Sequence, residues 1–190
     1  MIRPPDGHVK CMTEPSLRDE PSLGDTADPD AFTDRTDYPL VVVTTVADDG
    51  ERSGCLAGFT TQCSIDPLRF LVCLSRANHT FEVARHATVV CLHLLGLDQV
   101  DTASLFGELS GDEVDKFAGT AWHPGPGGVP ILDDCAAWMA VGILDRFDVG
   151  DHEALYTSPI DAGPGRAAGL LTLGSAPSLE AGHPADGRSD

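Results

Sequence analysis

Residues 40–47, Leu-Val-Val-Val-Thr-Thr-Val-Ala, are an apolar run dominated by β-branched side chains. Such side chains lose rotamer freedom in a helix and pack well on a pleated surface, so this run predicts a strand. Asp49-Gly50 follows, a strong hairpin signal, and residues 53–59 form the returning strand. The chain therefore enters its fold through an antiparallel pair. Residues 69–75, 89–95, 137–147 and 153–158 read as further strands, with 170–173 closing the set. Six or seven strands at short intervals predict a mainly β fold closed into a small barrel. Parallel βαβ repetition is absent, which excludes a doubly wound sheet.

Helices are few and short. Asn78 is placed to cap a helix over 79–86, with Phe81 and Ala84 at inward spacing. Asp98 is placed to cap a second over 99–106, burying Val100 and Ala103, and a third covers 111–117. The Pro- and Gly-rich stretch 123–130 predicts a loop.

Outside this core, residues 1–37 are acidic, rich in Pro, Ser and Asp and poor in aromatics, the signature of a disordered tail. Glu14-Pro-Ser-Leu-Arg-Asp19 is echoed at once by Glu20-Pro-Ser-Leu-Gly-Asp25. Residues 175–190 have similar composition, which leaves 38–174 as the folded domain. The formal charge of −18 excludes a nucleic-acid or anionic-membrane surface, both of which need clustered Lys and Arg. No apolar run approaches the roughly 20 residues of a membrane-spanning helix. The first residues carry no apolar signal-peptide core. Six cysteines occur and none sits in a CxxC pair, so free thiols, a reducing cytoplasmic location and no metal centre are expected.

The catalytic signatures that are missing narrow the chemistry. There is no GxGxxG after a strand, no Walker A, no GxSxG elbow and no HExxH. If the chain is an enzyme, a cofactor supplies the reactivity. Residues 54–75, GCLAGFTTQCSIDPLRFLVCLS, offer a place for one. Ala57 and Gly58 let backbone approach a flat ring. Thr60, Thr61 and Ser64 can hydrogen-bond its edge, and Asp66-Pro67 turns the chain. A barrel turn with no ligand has the same composition. Downstream, Ser75-Arg76-Ala-Asn78-His79-Thr80 leaves a strand for a helix start flanked by Arg76 and Arg85, which suits either an anion or solvent.

In order, these segments resemble the flavin reductase-like family. Its strand, hydroxyl-rich turn, acidic residue and proline stand here as FTTQCSIDPLRFLVCLS. Its Ser-centred loop and helix stand as SRANHTFEVARH. Its Lys-Phe-Ala-Gly segment is Lys116–Gly119, and its late Gly-Asp-His turn is Gly150-Asp151-His152. The matches run from about Tyr38 to Leu173.

The resemblance implies a Greek-key split β-barrel that binds FMN, with FAD as the less favoured flavin. It implies an NAD(P)H:flavin oxidoreductase that takes NADH or NADPH as co-substrate. Ala57, Gly58, Phe59, Thr60, Thr61, Cys63 and Ser64 would line the flavin. Asn78, His79 and Thr80 would reach its ribityl or phosphate region, with Lys116 nearby. His152 would be the catalytic residue that positions the nicotinamide. A homodimer is implied, with a monooxygenase component as its partner. The chain departs from the family wording at Leu56 before the turn, at Leu68 in place of a second proline, and at Glu153-Ala-Leu-Tyr after Gly-Asp-His. Those departures keep two other readings open: a flavin-binding protein of the same fold with little reductase activity, and a split-barrel oxidoreductase using another cofactor.

Overall fold

The β-branched run becomes Val41–Val46 (β1), buried along nearly its whole length. The computed structural model describes residues 28–111, 114–166 and 169–176. These fall into two units, one ending at Thr36 and one starting at Asp37. In the first, Asp30–Thr33 makes one helical turn, α1. The rest of the acidic tail, residues 1–27, and the end of the chain from 177 lie outside the described residues.

The second unit is built on one antiparallel sheet. It contains β1, Arg52–Ala57 (β2), Thr60–Ile65 (β3), Leu68–Ser75 (β4), Val89–Leu94 (β5), Ala137–Asp148 (β8) and His152–Pro164 (β9). Their order is β2-β1-β5-β8-β9-β4-β3. A small hairpin of Trp122–Pro124 (β6) and Pro130–Leu132 (β7) packs beside it. The sheet curls so that its two ends approach. β2 comes up against β4, and the Cys73 amide donates to the Phe59 carbonyl at 2.9 Å, which carries the β3–β4 ladder on to the link from β2. The curl encloses Val43, Cys55, Val72, Leu74, Val90 and Leu155, with Phe81 and Ala84 plugging one end. It is a barrel with one open seam, between β2 and β4.

Two helices flank β2. His79–Ala84 (α2) buries Phe81, Val83 and Ala84. Val100–Glu108 (α3) packs Ala103 and Phe106 on the outer face of the sheet, beside Leu40, Val42 and Leu95. Gly54 is required there, because a Cβ would stand 2.8 Å from the Phe106 ring. No helix of the described residues is long and apolar enough to cross a membrane.

Several expectations are corrected. The hydroxyl-rich segment from Thr60 is a strand, not a turn, and the turn is confined to Asp66-Pro67. The stretch 123–130 is a hairpin with a single 3-10 turn at Pro126–Gly128, held because the Thr44 hydroxyl donates to the Pro130 carbonyl. Residues 170–173 contribute only isolated bridges, Gly96 to Leu170 and Pro39 to Thr172. Asn78 occupies the N-cap of α2 but its side chain makes no capping bond, and α3 starts after Gln99 rather than Asp98. Of the third helix, residues 112–113 lie outside the described residues and 114–117 are not helical.

On the outer face of the sheet, His93 of β5 is fully buried and ties β1 to the β6–β7 hairpin. Its Nδ1–H donates to the Val42 carbonyl and its Nε2 accepts the Leu132 amide, both at 3.1 Å. An amide can only donate, so the ring is the neutral tautomer carrying its proton on Nδ1.

Candidate functional site

β2 is an edge strand, so one row of its backbone groups has no ladder partner. The alternation of the strand decides which groups these are. The Gly54 carbonyl turns away from β1 and accepts from Lys116 Nζ at 3.0 Å. Two residues on, the Leu56 amide and carbonyl therefore point the same way, into the seam.

A small cavity of about 100 Å³ sits there. Ala57, Gly58 and Phe59 form one wall; Cys73, Ser75 and Asn78 form the other, with His152 at the edge. Ser75 and His152 are direct partners in the β4–β9 ladder. The His152 Nδ1 contacts Asp151 Oδ1 at 2.7 Å, which fixes the ring, and Nε2 has no partner among the described residues. The half-exposed Phe59 ring meets His152 edge-on at 5.4 Å and Tyr38 at 6.2 Å, making an aromatic row at the mouth. The Asn78 carboxamide makes no hydrogen bond among the described residues and borders the same cavity. A Cβ on Gly58 would meet nothing within 4 Å, so a flat ring has room to approach this backbone.

Along the same free edge of β2 lies a second, more polar cavity of about 330 Å³. It runs over residues 50–54 and is closed by Gly111, Asp115 and Lys116. His79 stands between Ser53 and Gly111: a Cβ on Gly111 would lie 2.9 Å from the His79 ring and 3.4 Å from the Ser53 hydroxyl. Lys116 is buried, and burial pulls its pKa below the usual lysine value. Its ammonium donates to the Gly54 and Phe106 carbonyls, at 3.0 and 3.1 Å. The Phe106 carbonyl belongs to the last turn of α3, where an unpaired carbonyl and the helix dipole both favour a cation.

The sequence-derived candidates divide between several places. Ala57, Gly58, Phe59, Asn78 and His152 meet at the seam. Lys116 lines the neighbouring polar cavity. Thr80 is buried, its hydroxyl 2.9 Å from that of Ser53, and faces neither cavity. His79 contacts Glu51 at 3.0 Å. Thr60 and Thr61 border a larger apolar cavity of about 640 Å³, walled by Val41, Leu92, Leu94 and Met139 at the barrel's open end. Cys63 lies exposed on a bulge of β3, beside Ser64. The two arginines expected beside α2 do flank it, over the Phe81 ring at 5.6 and 5.9 Å, but each is also paired with a carboxylate. Arg76 pairs with Asp148 at 3.1 Å and donates to the Gly150 carbonyl, while Arg85 pairs with Glu82.

Sequence reasoning missed Leu56 and Cys73 as wall residues, and took Ser75 only as the start of the segment leading into α2. Cys73 and Ser75 alternate with the inward Val72 and Leu74, a period-2 signal present in the sequence. Burial raises the thiol pKa of Cys73, and that of Cys55 rises to about 11 for the same reason. Both stay protonated at neutral pH and neither is a ready nucleophile.

Comparison with known proteins bears on this geometry. A model of the flavin reductase-like domain matches residues 33–171. The FMN reductase (NADH) RutF of Pseudomonas syringae is 30% identical over 135 residues, covering 69% of this chain and 74% of that protein. The flavin-dependent monooxygenase reductase subunit HsaB of Mycobacterium tuberculosis is 28% identical over 117 residues, 62% of this chain and 60% of that protein. The solved flavin reductase domain protein of Arthrobacter shares the fold, with a TM-score of 0.68 and 24% identity, over 82% of this chain and 96% of the other.

Proposed function

The chain belongs to the flavin reductase-like family, and from that premise we propose that it is an NAD(P)H-dependent flavin reductase whose flavin lies in the seam between β2 and β4. The observation that carries the placement is the free edge of β2 beside Gly58. It presents the Leu56 amide and carbonyl, unpaired in the ladder, where a flat heterocycle can approach.

FMN is the flavin and NADH the nicotinamide that the RutF relative favours by its name. When bound, the flavin accepts a hydride from the nicotinamide at its N5. The chain's own residues have simpler tasks. Leu56 and Asn78 hold the heterocycle by hydrogen bonds. Phe59 and Leu56 shield it from water. Asp151 holds the His152 imidazole in one orientation, so that Nε2 can position the carboxamide of the nicotinamide. No acid–base pair is needed for this transfer.

The reading extends to partners and place. HsaB is named as a reductase subunit of a monooxygenase, and this chain is assigned the same kind of partner. A second copy of the chain would cover the apolar open end around Val41, Leu94 and Met139, making a homodimer. The free thiols of Cys55, Cys63, Cys73, Cys91 and Cys135 suit a reducing cytoplasm.

The test is oxidation of NADH and of NADPH at 340 nm with and without FMN. Flavin-dependent oxidation is the expected result. FMN binding without oxidation would favour the flavin-binding alternative, and neither binding nor oxidation would remove the assignment.

A further inference from the structure

The Gly150-Asp151-His152 turn carries its imidazole on backbone that packs against little. Gly150 takes φ +100°, a Cβ there would meet nothing within 4 Å, and Val149 and Asp151 beside it are exposed. Arg76 reaches this turn from the end of β4 through three separate contacts. Its amide donates to the Asp151 carbonyl at 3.0 Å and its Nε donates to the Gly150 carbonyl at 3.3 Å. Its guanidinium meets the Asp148 carboxylate at 3.1 Å. The other oxygen of that carboxylate accepts the Gly150 amide at 3.1 Å. The guanidinium also lies over the ring of Phe81, a buried residue, at 5.6 Å from its centre. One side chain therefore links the start, the middle and the end of the turn to a ring fixed in the core.

Stability is a poor reason for this arrangement. The Arg76 and Asp148 side chains are 38% and 77% exposed, and exposed ion pairs contribute little to folding. The strands are joined without it. β4 and β9 share a ladder, and Arg146 pairs with Glu153 at 2.9 Å while donating to the Ala84 and Ala87 carbonyls at the end of α2. What Arg76 adds is the direction of the turn.

We propose that Arg76 is a positioning residue for the reductase reaction. It fixes the Gly-Asp-His turn, and through the turn it fixes the direction in which the His152 ring points. This rests on the role proposed above for His152. It also reassigns Arg76, which the sequence suggested as an anion contact. Without the clamp the turn samples other directions, and the nicotinamide meets a competent His152 only part of the time, which weakens its apparent affinity by that fraction.

The experiment compares Arg76→Ala with the wild type by steady-state kinetics, by FMN titration and by amide hydrogen exchange of the ligand-free protein. KM for the nicotinamide should rise about fivefold, with FMN affinity within twofold and the melting temperature within about 2 °C. Added to His152→Ala, the substitution should cause no further rise, because it acts through that ring. The Val149 and Gly150 amides, which donate to the His152 carbonyl and the Asp148 carboxylate, should exchange at least tenfold faster. Asp148→Asn should give a smaller version of the same split. Arg76→Lys, which keeps the ion pair and loses the Nε bond, should retain part of the wild-type KM.

A further rise of KM in the His152→Ala background would mean that the guanidinium touches the nicotinamide nucleotide itself, and would overturn the proposal. A loss of FMN affinity with KM unchanged would return Arg76 to an anion of the flavin, with the same consequence. Equal losses in both constants with a lower melting temperature would reduce it to a brace. Unchanged exchange at Val149 and Gly150 would show that no clamp exists. A wild type that oxidises no nicotinamide with FMN present would instead defeat the reductase reading, and exchange would still decide whether Arg76 holds the turn.

Discussion

Ser75 and His152 sit directly opposite each other where β4 and β9 pair, and this register brings the Gly-Asp-His turn to the wall of the seam. The turn is fastened from the other side as well, because the Arg76 amide donates to the Asp151 carbonyl at 3.0 Å. The imidazole is therefore held by backbone on two sides and by the Asp151 carboxylate at 2.7 Å.

Replacing His152 by Ala should raise KM for the nicotinamide about tenfold and leave flavin affinity within twofold. A tenfold change corresponds to about 1.4 kcal/mol, the scale of one hydrogen bond to a bound ligand. Steady-state kinetics with each substrate varied in turn checks it. Equal changes in both constants would mean that the ring supports the seam rather than the nicotinamide. Asp151→Asn should show a weaker form of the same split.

The two glycines at 58 and 165 should behave oppositely. A Cβ at Gly58 meets nothing within 4 Å, so Gly58→Ala should melt within about 2 °C of wild type. It should nonetheless weaken flavin binding, because the methyl occupies the approach to the ring. At Gly165 a Cβ would fall 1.8 Å from the Cys135 carbonyl oxygen, which is backbone and cannot swing aside. Gly165→Ala should destabilise by about 3 kcal/mol, the upper range for overpacking. Thermal melts and flavin titrations of both variants separate the effects.

What the sequence disclosed and what it hid follow the range of the interactions. The β1–β2 hairpin was legible because its strand signal and its Asp49-Gly50 turn are local. β3 was not, because Thr60–Ile65 is an edge strand with most side chains exposed and no alternation to read. The site divided in the same way. Gly58, Phe59 and His152 were found by their local wording. Lys116 was named, but its bonds to Gly54 and Phe106 join residues far apart in the chain. The pairing of Arg76 with Asp148 was not legible, because it needs both the β4–β9 register and the β8–β9 hairpin.

His93 makes stability depend on acid. Burial lowers its pKa to about 4, the Val42 carbonyl opposing this and the charge of His123 adding to it. The unfolded chain binds the proton near pH 6.5, the folded chain only near 4. Stability from this group is complete above pH 6.5 and falls as the pH drops towards 4. A shift of this size amounts to about 3 kcal/mol. Urea melts at pH 7 and pH 4.5 should show most of that loss. His93→Gln should flatten the dependence in this window while costing about 2 kcal/mol at pH 7, because one of two buried backbone groups loses its partner.

The thiols give an independent reading of where the ligand lies. Cys63 is exposed on its bulge, whereas Cys55, Cys91 and Cys135 are buried and burial raises the pKa of each. Thiolate reactivity should therefore put Cys63 first, Cys73 second and the three buried thiols last. Cys73 is the informative one, since it is only partly buried and forms a wall of the seam cavity. Flavin in the seam should slow alkylation of Cys73 several-fold and leave Cys63 untouched, as read by peptide mass mapping after timed iodoacetamide treatment. If FMN binds and Cys73 is alkylated at its unliganded rate, the flavin lies elsewhere. The apolar cavity beside Thr60 and Thr61 is then the next place to map. If the protection is instead found at Cys63, the free edge of β3 is in contact with the ligand or with a second copy of the chain. Dilution separates those two, because a dimer contact weakens on dilution of the protein and a ligand contact at saturating FMN does not.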